Sequence, residues 1–317
     1  MKEFFRIYSP IQKITTKNDI EVWIKRDDLI HPEVSGNKWR KLKYYLEDFR
    51  RSGKEVLLSF GGAFSNHLAA LAALGKMAGI PTRALVRGEE VHSNPTLDYC
   101  RQQGMLIDTI SRKDYAERDN PEFLRSLSQT LPHVYLVPEG GKGSLGVKGC
   151  TEIMREVEEY FDIVAVSAGT GTTAAGMLMG IGKSELWCFP ALKGGRFISP
   201  AIERWLLDFQ LHFSTELAEK VLIREHLRLV DNYHFGGYAR VSEELVEFMN
   251  DFYRRYQVPL DPVYTGKMMY GIFDMIESGA MPAGTRLLAL HTGGLQGIKG
   301  MNERLKNSGS KLLNYEN

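Results

Sequence analysis

Residues 162–176 read "DIVAVSAGTGTTAAG". The first half is an apolar run of small and β-branched residues. A turn with two glycines follows, and then small residues suited to a helix. A short β-rich run closed by a glycine turn predicts a strand. A strand that feeds directly into a helix predicts a βαβ unit. The same order recurs on both sides. "VLLSF" (56–60) precedes a helical stretch from Ser65 to Ala78, "TRALV" (82–86) precedes one near 96–103, and "MLIDTI" (105–110) precedes one near 119–130. "VYLVP" (134–138) ends in the glycine-rich "EGGKGSLG", and "ELWCFPA" (185–191) and "TRLLALHTGG" (285–294) repeat the theme. The pattern predicts an α/β fold with mostly parallel sheets. Val241, Leu245, Phe248, Phe252 and Tyr256 fall at helical spacing and read as core.

In open parallel sheets ligands collect at the carboxyl ends of strands. Three such turns are rich in small or polar residues: "GGAFSNH" (61–67), "SAGTGTTAAG" (167–176) and "HTGG" (291–294). In the second, Gly169 and Gly171 let backbone come close to an anion, and the N–H groups at the helix start face it. Thr170, Thr172 and Thr173 add hydroxyl donors. The loop also fits the GxGxxA dinucleotide pattern, but that reading needs an acid at the end of the next strand. "ELWCFPA" has Glu185 at its start and none at its end. A single-phosphate cofactor, a nicotinamide cofactor and a plain tight turn all remain open on this loop alone.

The 317 residues suffice for two domains. Forty basic residues nearly balance 39 acidic ones, so the basic excess of a nucleic-acid binder is missing. Cys100, Cys150 and Cys188 are far apart and odd in number, which supports neither a disulfide framework nor a metal site. The first ten residues lack the apolar core of a signal peptide, and "LAALAALGKMAGI" (68–80) is too short to span a bilayer. The expectation is a cytoplasmic chain without a membrane or nucleic-acid partner.

"SGNKWRKL" (35–42) begins a basic run, Lys38, Arg40, Lys41 and Lys43. By spacing alone these cations read as a solvated helix face. The order of six motifs changes that for one of them. "KRDDL" (25–29), "SGNKWRKL", "GGAFSNH", "GTGTT" (169–173), "LDPVYTGKMM" (260–269) and "HTGG" closely resemble the D-cysteine desulfhydrase and 1-aminocyclopropane-1-carboxylate (ACC) deaminase family. The resemblance runs from about residue 8 to about residue 300. It implies pyridoxal 5′-phosphate as cofactor, and a two-domain three-layer sandwich with mostly parallel sheets, the tryptophan synthase β-like fold type II. It also implies a smaller domain over 52–150, a larger cofactor-binding domain formed by 1–51 and 151–317, and a homodimer.

The resemblance makes Lys38 the Schiff-base lysine, with Lys41 one helical turn on as a cationic contact for the cofactor. Arg40 and Lys43 keep the solvated reading. Ser65, Asn66 and His67 would hold the substrate carboxylate, with Asn66 also on the cofactor's phenolic oxygen. "SNH" reads equally as a helix N-cap, and both can hold at once. Tyr264 matches the family's active-site tyrosine, and Tyr238 sits where a second is expected. ACC deaminases carry Glu after the motif tyrosine and Leu after the late histidine; here these are Thr265 and Thr292, as in the desulfhydrase branch. A carboxylate would keep the pyridine nitrogen protonated and strengthen the electron sink, which ring opening needs more than loss of thiolate does. The expectation is therefore α,β-elimination on a small D-amino acid, D-cysteine above all, giving pyruvate, ammonia and hydrogen sulfide. Rivals on the same fold are ACC deamination and elimination from D-serine or β-chloro-D-alanine. Rivals of other classes are an NAD-dependent dehydrogenase on the 169–176 loop and a cofactor-carrying protein without turnover. Ala63 and Phe64 depart from the Ile-Gln common among relatives, and "FPALKGGRFI" (189–198) departs from the well-defined desulfhydrases.

Overall fold

The computed structural model describes residues 7–88, 94–214, 223 and 225–315; most of the N-terminal stretch read for a signal peptide lies outside them. Ten strands are β1 (Ile11–Lys17), β2 (Ile20–Lys25), β3 (Val56–Gly61), β4 (Thr82–Arg87), β5 (Leu106–Ile110), β6 (Val134–Val137), β7 (Ile163–Ala168), β8 (Glu185–Pro190), β9 (Leu227–Leu229) and β10 (Arg286–Leu290). They form two sheets. One has the order β1-β2-β10-β7-β8-β9, the other β5-β4-β3-β6. All pairs are parallel except β1 with β2.

Each sheet is covered on both faces, and the period-2 alternation of strand side chains separates the covers. Along β10, Leu287 and Ala289 join one apolar core while Leu288 and Leu290 join another. In β3, Leu57 points into a core with Leu68, Leu71 and Val137, and Leu58 and Phe60 point to the opposite side. All six residues of β7 are buried, which fits a strand covered on both faces. The helix Glu243–Tyr256 lays the predicted stripe on the larger sheet's core.

The helix Asn37–Ser52 packs Trp39, Leu42, Tyr45, Leu46 and Phe49 into the core of the four-stranded sheet. The sequence boundary had grouped it with the larger sheet. Its apolar stripe shares that core with Ile30 and Val34 just before it, with the helix Asn66–Ala78 and with Leu57 of β3. "LAALAALGKMAGI" is that second helix, buried against the smaller sheet. Among the described residues no helix is long and apolar enough to cross a membrane. The three cysteines are buried and free.

Candidate active site

The carboxyl ends of β3, β6, β7 and β10 open on one cavity of about 940 Å³. The helix Asn37–Ser52 starts against it because of one glycine. Gly36 has φ 63°, and a Cβ there would lie 1.9 Å from the Thr292 carbonyl oxygen. The Asn37 N–H donates to that same carbonyl at 3.3 Å. Only glycine allows this close approach and this backbone, and it sets Lys38 over the end of β10.

Lys38 and Lys41 both line the cavity. The Lys38 ammonium donates to Asn37 Oδ1 at 3.2 Å, and Asn37 Nδ2 donates to Thr173 Oγ1 at 3.1 Å. Asn37 thus links the lysine to the 169–173 loop. Burial, and then the like charge of Lys41, lower the Lys38 amine to about 7. Burial also lowers Lys41. Among the described residues neither ammonium has a carboxylate in ion-pair contact. The turn after β6 closes over this wall: a Cβ on Gly141 would sit 3.0 Å from Lys41 Cβ and 3.9 Å from His67 Cε1.

The other two cations of the run behave differently, which corrects the solvated reading. Arg40 is fully buried. Its Nη2 donates to Asp27 Oδ1 at 2.7 Å, and Nη1 and Nη2 donate to the two Glu156 oxygens at 2.8 and 2.7 Å. Lys25 joins Glu156 at 2.7 Å. Lys43 pairs with Glu152 on the same side of the helix.

Ser65 caps the helix Asn66–Ala78, its Oγ accepting from the Leu68 N–H at 3.3 Å. The hydroxyl proton stays available to a ligand, and the Asn66 and His67 N–H groups lie in the first turn, where no intrahelical acceptor exists. The cap and anion readings therefore coexist. The Asn66 amide faces the 291–294 turn, with Nδ2 2.9 Å from where a Cβ on Gly294 would be. His67 is buried, and hydrogen bonds decide its tautomer. Ser59 Oγ donates to the Val137 carbonyl at 2.7 Å, so it accepts from His67 Nε2–H at 2.8 Å. Nδ1 is then a bare acceptor, and among the described residues it has no hydrogen-bond partner. Burial, together with the Lys38 and Lys41 charges, holds the ring neutral, far below the usual histidine range.

Gly169, Thr170, Gly171 and Thr173 line the cavity, and Gly171 takes the left-handed conformation at φ 77° that starts the following helix. The loop is braced by Trp205, another lining residue, whose Nε1 donates to the Thr170 carbonyl at 2.7 Å. Thr172 is fully buried, its hydroxyl 3.1 Å from that of Thr170, and lies behind the lining.

Tyr264 lies over the loop, its hydroxyl 3.2 Å from where a Cβ on Gly169 would be. Tyr238 stands half exposed at the mouth, its ring edge-on to Tyr264 with centroids 6.2 Å apart. Burial raises both phenols, Tyr264 well above the ordinary value, so both hold their protons at neutral pH. Thr292 lines the cavity with its hydroxyl 3.5 Å from that of Ser167. Thr265 does not reach the cavity: it is fully buried, and its hydroxyl donates to Asp261. Asp261 also accepts from the N–H groups of Val263, Tyr264 and Thr265 at 3.0, 2.8 and 2.7 Å. Asn37, Ser59 and Asp261 organise the site without having been singled out in the sequence. Asn37 and Asp261 sit inside quoted motifs, and only their contacts reveal what they do.

The donor set fits one particular group. Two cavity ammoniums, Lys41 buried and Lys38 partly so, without counterions among the described residues, call for an anion, the glycine loop beside them presents backbone N–H groups to it, and Lys38 has an amine lowered toward neutrality. The family profile described as "Pyridoxal-phosphate dependent enzyme" matches residues 7–293. The chain belongs to the pyridoxal-phosphate-dependent enzymes. It is 30% identical over 316 residues to a 1-aminocyclopropane-1-carboxylate deaminase of Mesorhizobium japonicum, covering 91% of each chain. It is 30% identical over 305 residues to the bifunctional D-cysteine desulfhydrase/1-aminocyclopropane-1-carboxylate deaminase of Arabidopsis thaliana, covering 89% of this chain and 74% of that one. The crystal structure of an ACC deaminase homologue superposes with a TM-score of 0.79 at 27% identity, covering 96% of this chain and 97% of that one. As a pyridoxal-phosphate-dependent enzyme of fold type II, the chain has its cofactor chemistry settled; a dehydrogenase on the 169–176 loop is excluded.

Proposed function

We propose that this enzyme catalyses α,β-elimination on a small D-amino acid, D-cysteine above all, releasing hydrogen sulfide, with water then converting the unsaturated product to pyruvate and ammonia. The observation that carries this reading over ring opening is the pair of neutral hydroxyls, Ser167 and Thr292, at the ends of β7 and β10. Among the described residues the carboxylates lining the cavity are Glu33, Asp119 and Glu139. Asp119 and Glu139 are paired with Lys142 and Arg118, and Glu33 accepts from Tyr99. Asp261 stands nearer but is occupied by four donors. No free carboxylate at that end supports keeping a pyridine nitrogen protonated, and loss of thiolate needs the weaker electron sink.

When bound, pyridoxal phosphate supplies an aldehyde for amine exchange and a ring that withdraws electrons from the substrate's Cα. Lys41 and the N–H groups of residues 169–173 hold the phosphate. The Lys38 amine, lowered to about 7, would take the Cα proton as a general base. The Ser65 hydroxyl and the first-turn N–H groups hold the carboxylate. His67 Nδ1, a lone-pair acceptor, suits an N–H or O–H donor better than a carboxylate. Tyr264 and Tyr238, protonated phenols, donate toward the departing sulfur.

A second reading, ACC deamination, is favoured by the likeness to relatives of that name. Release of the 2-oxo acid, pyruvate from D-cysteine and 2-oxobutanoate from ACC, assayed side by side on the holoenzyme, separates the two. Release from D-cysteine alone is expected; release from ACC at comparable rate overturns the electron-sink argument.

A further inference from the structure

Lys267 is only 2% exposed, yet it lies outside the cavity lining. It sits in the first turn of the helix Thr265–Glu277, three residues after Tyr264. Its ammonium donates to the His234 carbonyl at 2.9 Å and the Gly237 carbonyl at 2.7 Å. Among the described residues no carboxylate is in ion-pair contact with it, and burial lowers the amine to about 8, opposed by the charge of Asp261. A buried cation held by two carbonyls of one short loop is costly unless it organises that loop.

The loop needs organising. Phe235, Gly236, Gly237 and Ala239 have φ of 51°, 87°, 121° and 53°. For Phe235 and Ala239 the left-handed region costs roughly 1–3 kcal/mol each, and such conformations persist only where surrounding contacts enforce them. Besides Lys267, Arg304 Nη1 donates to the Ala239 carbonyl at 2.9 Å. Between the two anchored positions stands Tyr238, which meets the ring of Tyr264.

We infer that Lys267 is a positioning residue that sets Tyr238 against Tyr264. One helix start carries both ends of the arrangement: Tyr264 immediately precedes it, and Lys267, one turn in, pulls the 234–239 loop onto it through two carbonyls. Removing the ammonium leaves His234 O and Gly237 O only the Gly237 and Arg240 N–H donors of the loop itself, at 3.0 and 3.2 Å, so nothing ties the loop to the helix start through them, the left-handed residues relax, and Tyr238 moves off Tyr264. This rests on the reading of Tyr238 as a phenol of the site, so its test has a readout that requires no turnover.

The apo-protein labelled with 3-fluorotyrosine gives a fluorine resonance for Tyr238, assigned with Tyr238→Phe. In Lys267→Met this resonance is expected to move toward that of free fluorotyrosine. In the holoenzyme the same variant is expected to lose about 10-fold or more in kcat, with cofactor affinity by visible absorbance unchanged within about twofold. Lys267→Gln, which keeps an amide donor, is expected to fall between. An unmoved Tyr238 resonance in a folded Lys267→Met protein overturns the inference, as does a kcat loss that merely tracks lost cofactor. If Lys267→Met does not fold, Lys267→Gln decides by the same resonance. A moved resonance in a protein that turns over neither D-cysteine nor ACC upholds the positioning role and defeats the proposed reaction instead.

Discussion

Two faces of the helix Asn37–Ser52 carry cations from the same short run, and their chemistry diverges. Lys38 and Lys41 face the cavity without counterions and are held toward neutrality. Arg40 and Lys43 face the helices after β6 and are matched by Asp27, Glu156 and Glu152. All four are basic, and none is freely solvated. The difference teaches that a buried cation's role is set by what balances it. A carboxylate at hydrogen-bond distance makes it structural, and an unbalanced ammonium beside a cavity is free to become a reagent or an anion site.

The comparison can be broken most sharply at Lys38. Lys38→Ala is expected to lower pyruvate release by about a thousandfold or more, since both the covalent anchor and the base are lost; full activity would end the scheme. On the opposite face, Arg40→Ala leaves Asp27 buried with its main partner gone. It should cost about 3–5 kcal/mol by urea denaturation of the apo-protein, and Asp27→Asn in the same chain should recover part of that. A neutral result would show that the network is not holding the helix.

Lys41 sharpens the comparison on the cavity side. Lys41→Met is expected to weaken cofactor binding about 10- to 100-fold by absorbance titration, the worth of one charge-assisted contact. It should also raise the Lys38 pKa by removing a like charge. The sign follows directly. The reactive free amine of Lys38 grows as pH rises through about 7, so cofactor capture by the apo-protein should slow about tenfold per pH unit well below that. In Lys41→Met that profile should shift to higher pH, and a shift downward would contradict the like-charge account. Lys43→Ala should do least: under about 1 kcal/mol in stability and no change in activity.

Much was legible before any coordinates. The strand–turn–helix repeats around 162–176 appear where expected, because burial on two sheet faces and glycine turns leave local signatures. Twelve of the singled-out site residues converge on one cavity, since parallel strands carry their following turns to the same edge. Thr172 and Thr265 do not. A threonine reads the same whether its hydroxyl faces a ligand or another residue, and only the contacts to Thr170 and Asp261 distinguish the cases.

The sequence by itself determined the parallel α/β architecture, the order of turns around the site and which lysine to single out in the basic run, because periodicity, glycine and motif order are properties of neighbouring residues. Only the tertiary structure decided which cations are balanced, which tautomer His67 adopts, and what holds Tyr238 in place. Those answers come from partners far along the chain, Glu156 for Arg40 across 116 residues and the 234–237 carbonyls for Lys267. Electrostatic balance and hydrogen-bond direction are set by distance in space, and no local pattern records it.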